Sequence, residues 1–91
     1  MAVKIRIPTP LRGLTQEQDL VPGLEGTLGA CIDGLEASFP GIKDRICDDQ
    51  GEIRRFVNVY INGEDVRFLE GLATELKAND EISIVPAVAG G

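Results

Sequence analysis

The residues that most directly indicate chemistry are the last three, Ala89-Gly90-Gly91, which end an uncharged segment that begins at Ile82. Glycine has no Cβ, so a chain that ends in two glycines can enter a channel too narrow for a side chain. Val88, Ala89 and Gly90 are then the residues that would thread such a channel. Chain ends are usually polar and solvated, and this one is apolar. We therefore expect a free C-terminal carboxylate on Gly91 to be the reactive group, delivered to another protein by the rest of the chain.

The composition argues against catalysis by this chain itself. It contains no histidine, which removes the commonest general base, the commonest metal ligand and any Ser-His or Cys-His nucleophile pair. Two isolated cysteines, Cys31 and Cys47, form a poor zinc site without histidine. We predict that the protein is not an enzyme and holds no metal and no cofactor of its own.

Charge and length restrict the class of partner. The net charge is −6, which argues against general binding of nucleic acid or anionic membranes, because both require a basic surface. There is no apolar run of about 18 residues and no signal-peptide pattern, so we expect a cytoplasmic protein. With 91 residues the chain suits one domain over 1–91, with 86–91 as a flexible functional tail.

The hydrophobic pattern predicts the elements that must position this tail. Alternating residues predict strands over 2–8, 53–61 and 81–87, with shorter strands over 19–21 and 66–68. Asn62-Gly63 favours a type I′ hairpin turn after the second long strand. Residues 69–79 are expected to be irregular, with Leu72 and Leu76 anchored in the core.

One clear helix is predicted over 27–39, with Thr27 as its N-cap. Apolar residues recur along one stripe of this helix at 28, 31, 32, 35 and 39. Pro40 ends it. The order of elements predicts an α+β protein with the β-grasp (ubiquitin-like) roll, in which one main helix crosses one face of a mixed sheet of about five strands.

The opposite face of the sheet is a candidate docking surface. The alternation places Phe56, Tyr60, Val85 and Ala87 away from the helix and beside the tail, and basic residues of the first strand lie near them. Scattered exposed apolar residues need no explanation, whereas a contiguous patch marks an interaction site. We predict that these four residues contact partner enzymes.

The two cysteines receive structural interpretations. Cys31 lies on the apolar stripe of the helix, where cysteine usually behaves as a small core residue. Cys47 is predicted to lie in a loop and to be exposed. A persulfide role for either thiol is the less favoured interpretation.

Several segments together resemble a known family. The longest are residues 55–68 (RFVNVYINGEDVRF) and 79–91 (NDEISIVPAVAGG), supported by 7–9 (IPT), 11–12 (LR), 27–29 (TLG), 35–36 (LE) and 71–74 (GLAT). They are similar to the sulfur carriers of the ThiS/MoaD family, and the likeness covers nearly the whole chain. Within that family, 56–68 and 86–91 most resemble the carriers that supply sulfur to cysteine biosynthesis.

This resemblance implies a cycle of reactions at Gly91. An E1-like enzyme would adenylate the carboxylate with ATP, and a sulfur donor would replace AMP to leave a thiocarboxylate. The acceptor would be a cysteine synthase that uses O-phosphoserine and holds an aminoacrylate on pyridoxal phosphate (PLP). A metal-dependent peptidase would then release the new cysteine. The carrier is expected to be a monomer when free.

Three alternatives remain open at this point. The chain could be the small subunit of molybdopterin synthase, with the same tail held in a large subunit. It could be a ubiquitin-like modifier joined through Gly91 to lysines of other proteins. It could also be a binding module that does not use its tail.

Overall fold

A computed structural model of the chain describes residues 3–86. Within this range the strands are β1 (Val3–Arg6), β2 (Leu20–Gly23), β3 (Gly26–Thr27), β4 (Val57–Ile61), β5 (Glu64–Asp65), β6 (Glu75–Leu76) and β7 (Glu81–Pro86). The α-helices are α1 (Leu28–Ser38) and α2 (Ile42–Ile46), and 3₁₀ turns occupy Thr9–Leu14, Val66–Phe68 and Gly71–Ala73.

Five of the strands form one mixed sheet in the order β2-β1-β7-β4-β5, and β3 pairs with β6 in a small second sheet. β7 lies at the centre, parallel to β1 and antiparallel to β4. The strand that leads into the C-terminal tail is therefore supported on both sides. The predicted architecture of a mixed five-stranded sheet with one main helix is confirmed.

The core forms between α1 and one face of this sheet. Alternate residues of the strands are buried, including Ile5, Val59 and Ile82. The helix contributes the stripe predicted from its sequence, with Leu28, Cys31, Ile32 and Leu35 buried and Phe39 partly buried against them. The Thr27 side chain accepts a hydrogen bond from the backbone N–H of Ala30 at 3.2 Å, which confirms the predicted N-cap.

The hairpin after β4 also follows its sequence. Asn62 and Gly63 both have positive φ, 52° and 90°, as a type I′ turn requires. β2 extends further than predicted, through Pro22 and Gly23. Proline is tolerated there because β2 is an edge strand. A Cβ on Gly23 would lie 2.8 Å from Cys31 Sγ, so this strand approaches the helix too closely for a larger residue.

Two strand predictions are wrong, one at its start and the other over its whole length. The strand predicted over 53–61 begins only at Val57, because the Val57 N–H turns back to donate to the carbonyl of Arg54 at 3.0 Å. The return strand predicted over 66–68 is a 3₁₀ turn, and pairing ends at Asp65. The Asp65 side chain accepts from the backbone N–H of Arg67 at 2.8 Å, which caps this turn and stops the strand.

The helices of the described segment are short. α1 has 11 residues, and no helix within residues 3–86 is long and apolar enough to cross a membrane.

Candidate functional site

The tail residues predicted to carry the chemistry lie outside the described range. These are Val88, Ala89, Gly90 and Gly91, and the predicted docking residue Ala87 lies outside this range as well. Their roles remain predictions. The structure instead defines the base from which the tail departs.

That base is the end of β7. Its register with β4 runs from Ile61, which faces Ile82, to Val57, which faces Pro86. β1 supports only the first half of β7, where Lys4 to Arg6 face Glu81 to Ser83. Pro86, the last described residue, is thus placed by β4.

The start of β7 is fixed by a hydrogen-bonded corner. Asn62 Nδ2 donates to Asp80 Oδ1 at 2.9 Å, and the N–H of Glu81 donates to Asn62 Oδ1 at 3.0 Å. The backbone N–H of Lys77 donates to Asp80 Oδ2 at 2.8 Å. This N–H, followed by the Asn62 amide, lowers the pKa of the Asp80 carboxyl, because hydrogen bonds to a carboxylate favour its charged form. The corner joins the β4–β5 hairpin to β7.

The outer face of the sheet contains two of the predicted docking residues. Tyr60 faces Ser83 across the β4–β7 pair, and Val85 lies two residues further along β7. Diagonal neighbours of this kind are within reach of an aromatic side chain. Val85 is 44% exposed and Tyr60 is half-buried. The structure therefore brings these two residues onto one accessible surface.

Phe56 is exposed beside this surface but does not belong to the sheet. It is 57% exposed and lies in the turn that precedes β4. We call the surface formed by Phe56, Tyr60 and Val85 the tail-base surface. The prediction that these residues contact partners is not tested by their exposure, and it stays a prediction.

Basic groups border the tail-base surface. Lys4 and Arg6 are exposed on β1, and Arg6 faces Ser83 of β7. Arg6 Nε also lies 3.1 Å from Glu81 Oε1. This ion pair is exposed, so its contribution to stability is small.

Two further residues are not singled out as candidate site residues by the sequence. Phe68 is 88% exposed, and Arg67 hydrogen bonds to the segment before β4. Both lie in the 3₁₀ turn that was predicted as a strand. In a strand, successive side chains point to opposite faces of the sheet. The strand prediction therefore gives no reason to expect the exposure of Phe68 or the hydrogen bonds of Arg67.

Both cysteines are core residues. Cys31 is buried as predicted, whereas the predicted exposure of Cys47 is wrong, since it is 2% exposed. Cys47 closes α2 with its N–H on the Lys43 carbonyl at 2.7 Å and pairs with Ile53 in an isolated bridge. Burial raises the pKa of both thiols. Because the thiolate is the reactive form, neither thiol is activated. No cluster of three metal-ligating side chains occurs in residues 3–86.

Comparison with known proteins identifies relatives over the full length. Residues 5–91 match the ThiS family. The sulfur carrier protein CysO of Mycobacterium tuberculosis is 50% identical, with 100% of both chains covered. Its crystal structure superposes with a TM-score of 0.89 at 48% identity, covering 94% of this chain and 99% of that one.

Two further relatives widen the comparison. A chain in the crystal structure of the Amycolatopsis orientalis BexX/CysO complex has a TM-score of 0.92 at 44% identity, covering 99% of this chain and 100% of that one. Small archaeal modifier protein 3 of Haloferax volcanii is 42% identical over 67 residues, 74% of this chain and 72% of its own. The family match spans nearly all of the described residues and the C-terminal segment, and the chain belongs to the ThiS family.

Proposed function

We propose that this protein is a sulfur carrier whose C-terminal Gly91 is converted to a thiocarboxylate. The observation that carries the proposal is the full-length similarity to the sulfur carrier CysO of M. tuberculosis. The sequence ends in the Gly-Gly pair that such a tail needs, and the composition without histidine suits a protein whose chemistry is performed by its partners.

The proposed activation has two steps. An E1-like enzyme joins the Gly91 carboxylate to the α-phosphate of ATP, and pyrophosphate leaves. Hydrosulfide (HS⁻) supplied by the partner system then attacks the acyl carbon, AMP leaves with the bonding electrons, and the S–H proton is lost to solvent. The product is a thiocarboxylate, R–CO–S⁻. Activation is required because a carboxylate is a poor electrophile until a good leaving group is attached.

The proposed acceptor is a PLP-dependent cysteine synthase. The thiocarboxylate sulfur adds to the β-carbon of an aminoacrylate, and the acyl group then moves to the amino group of the new cysteine. A metal-dependent peptidase hydrolyses the resulting amide and regenerates the carboxylate. ATP and PLP belong to the partners in this scheme, and the carrier is a co-substrate.

The geometry of β7 supports this proposal. Five residues follow Pro86, and an extended segment of that length spans at most about 18 Å. The reacting atoms of each partner must therefore come within this distance of Pro86. Because β4 holds Pro86 in register, docking on the tail-base surface would aim the tail into a partner.

Intact mass spectrometry tests the proposal. The protein is incubated with ATP, its cognate E1-like enzyme and a sulfide donor. We expect the intact mass to increase by the difference between one sulfur atom and one oxygen atom. Without ATP, the intact mass should not change. A variant without Gly90 and Gly91 is the matched control, and it should unfold at nearly the same temperature as the wild type. A wild-type mass that never changes would refute the proposal.

Protein modification is the second candidate, favoured by the similarity to small archaeal modifier protein 3. A modifier would use the same adenylate but transfer the Gly91 acyl group to lysine amines. Isopeptide bonds between the Gly91 carbonyl and lysine amines of other proteins in a cell extract, in place of thiocarboxylate, would select this function.

A further inference from the structure

The outer edge of the sheet is incomplete beside β4. β5 has only two residues, and it pairs only with Tyr60 and Ile61. The first part of β4, from Val57 to Val59, thus extends beyond the partner strand on this side. Backbone carbonyl groups that have no partner strand at an edge normally accept hydrogen bonds from another donor or from water.

The side chain of Arg67 takes the place of the missing strand. Its Nη2 donates to the carbonyl of Val57 at 2.7 Å and to that of Arg54 at 3.0 Å. Its Nη1 donates to Asn58 Oδ1 at 2.6 Å. A longer contact of 3.4 Å reaches the carbonyl of Arg55. One guanidinium therefore links the start of β4 to the turn that precedes it.

The backbone of Arg67 is held on its N-terminal side. The Asp65 side chain accepts from the Arg67 N–H, and the neighbouring Val66 is fully buried. The guanidinium consequently projects from a fixed backbone. A planar fork of N–H donors in a fixed position can define the geometry of its acceptors.

The segment that Arg67 contacts lies next to the point where the tail begins. It contains Phe56, the most exposed member of the tail-base surface. It also contains Val57, which faces Pro86 at the point where the tail begins. A shift of this turn would move both the docking side chain and the origin of the tail.

We propose that Arg67 is a positioning residue for tail transfer: it fixes the turn at 54–57 so that Phe56 and the end of β7 meet the E1-like enzyme in a defined geometry. The inference rests on the proposed sulfur-carrier function. It goes further by assigning a role to a residue outside the tail and outside the tail-base surface. Arg67 touches no reacting atom in this scheme and acts through the turn.

The experiment compares Arg67→Met and Arg67→Lys with a control, Arg45→Met, which removes the same charge from an exposed position on α2. Thiocarboxylate formation is followed at a temperature where circular dichroism shows every variant folded. For Arg67→Met we expect the KM for the carrier to rise about tenfold while kcat changes by less than about twofold, because binding geometry and not chemistry is lost. Arg45→Met should match the wild type.

A second measurement does not depend on activity. Hydrogen exchange at the Val57 N–H, which donates to the Arg54 carbonyl inside the turn, should be faster in Arg67→Met and unchanged in Arg45→Met. Arg67→Lys retains the charge but lacks the fork, so it should resemble Arg67→Met in both measurements.

The outcomes separate the two proposals. If the wild type is never converted, the sulfur-carrier function fails, while the exchange measurement still decides whether Arg67 fixes the turn. If the wild type is converted and Arg67→Met matches Arg45→Met in KM, the positioning role is wrong. An Arg67→Lys protein with the wild-type KM would show that the positive charge is sufficient for binding, and the proposed role of the planar guanidinium would be wrong.

Discussion

The two faces of the central strand β7 use neighbouring residues for opposite purposes. On the inner face, Ile82 and Ile84 are buried beneath α1 as part of one apolar core. On the outer face, Ser83 is half-buried and Val85 is exposed beside Tyr60. A single strand therefore carries both the residues that stabilise the fold and those proposed to meet partners. The period of two along a strand makes this separation possible.

This comparison predicts that stability and partner binding can be changed independently. A substitution on the inner face should lower the free energy of unfolding. It should affect partner binding only by reducing the amount of folded protein. A substitution on the outer face should change affinity while the fold persists.

Replacing Ile82 by Ala tests the inner face. Ile82 is 2% exposed and faces Ile5 on one side and Ile61 on the other. Removing a buried isoleucine side chain to Cβ costs about 2–5 kcal/mol of unfolding free energy, since it loses apolar burial and leaves a cavity. Urea denaturation measures this loss.

The matched control is Ser83→Ala, one residue along the same strand and on the other face. It should change the unfolding free energy by less than about 0.5 kcal/mol, as surface substitutions usually do. Equal losses of unfolding free energy at the two positions would show that both faces of β7 contribute equally to stability.

Replacing Tyr60 by Lys tests the outer face. Tyr60 faces Asp65 across the β4–β5 pair, so a lysine there is electrostatically compatible with the fold. We expect affinity for the E1-like enzyme to fall about tenfold, because an aromatic contact is replaced by a charge that must be desolvated. Isothermal titration calorimetry gives the affinity.

Ala37→Lys supplies the comparison for Tyr60→Lys, since Ala37 is exposed on α1, away from the tail-base surface. It should bind the enzyme as the wild type does. Unaltered affinity of Tyr60→Lys would remove Tyr60 from the docking surface, and weakened binding by Ala37→Lys would place the enzyme on the helical side.

The corner at the start of β7 gives the smallest effect, and it depends on pH. The folded state lowers the pKa of Asp80 below its ordinary value of 3.8, so the stabilisation is present above that value and is lost as the pH falls through the folded-state pKa. Asp80→Asn should therefore lower the Tm by about 3 °C at pH 7.

The difference in Tm between Asp80→Asn and the wild type should narrow as the pH falls below 3.8. Asp49→Asn, in the exposed loop after α2, controls for the change in net charge. A gap between Asp80→Asn and the wild type that stays constant down to low pH would show that the carboxylate is not the stabilising form.

The periodic parts of the fold could be predicted from the sequence, and the edges could not. The stripe of α1 and the alternation of β7 are local patterns set by backbone geometry. Cys47 looked like a loop residue because its burial depends on a bridge to Ile53, a contact that no local pattern encodes. The turn at Val66–Phe68 has strand-like residues, but the Asp65 cap and the burial of Val66 override that preference.

The candidate site divides in the same way. The exposure of Val85 follows from alternation along β7. Phe56 is exposed in a turn that the alternation does not predict, and the proposed role of Arg67 requires the spatial meeting of two segments. The chemistry proposed for Gly91 rests on resemblance to a family, since residue types alone indicate only a carboxylate at the end of a segment with small side chains.

The separation of the two faces is tested most directly by mapping protection along the chain when the E1-like enzyme binds. Backbone hydrogen exchange is measured on the free protein and on the complex, without ATP. We expect slower exchange at Tyr60, Val85 and the turn containing Phe56, with exchange along the exposed side of α1 unchanged. Protection confined to α1, with the outer face of the sheet unaffected, would show that the enzyme does not bind the outer face.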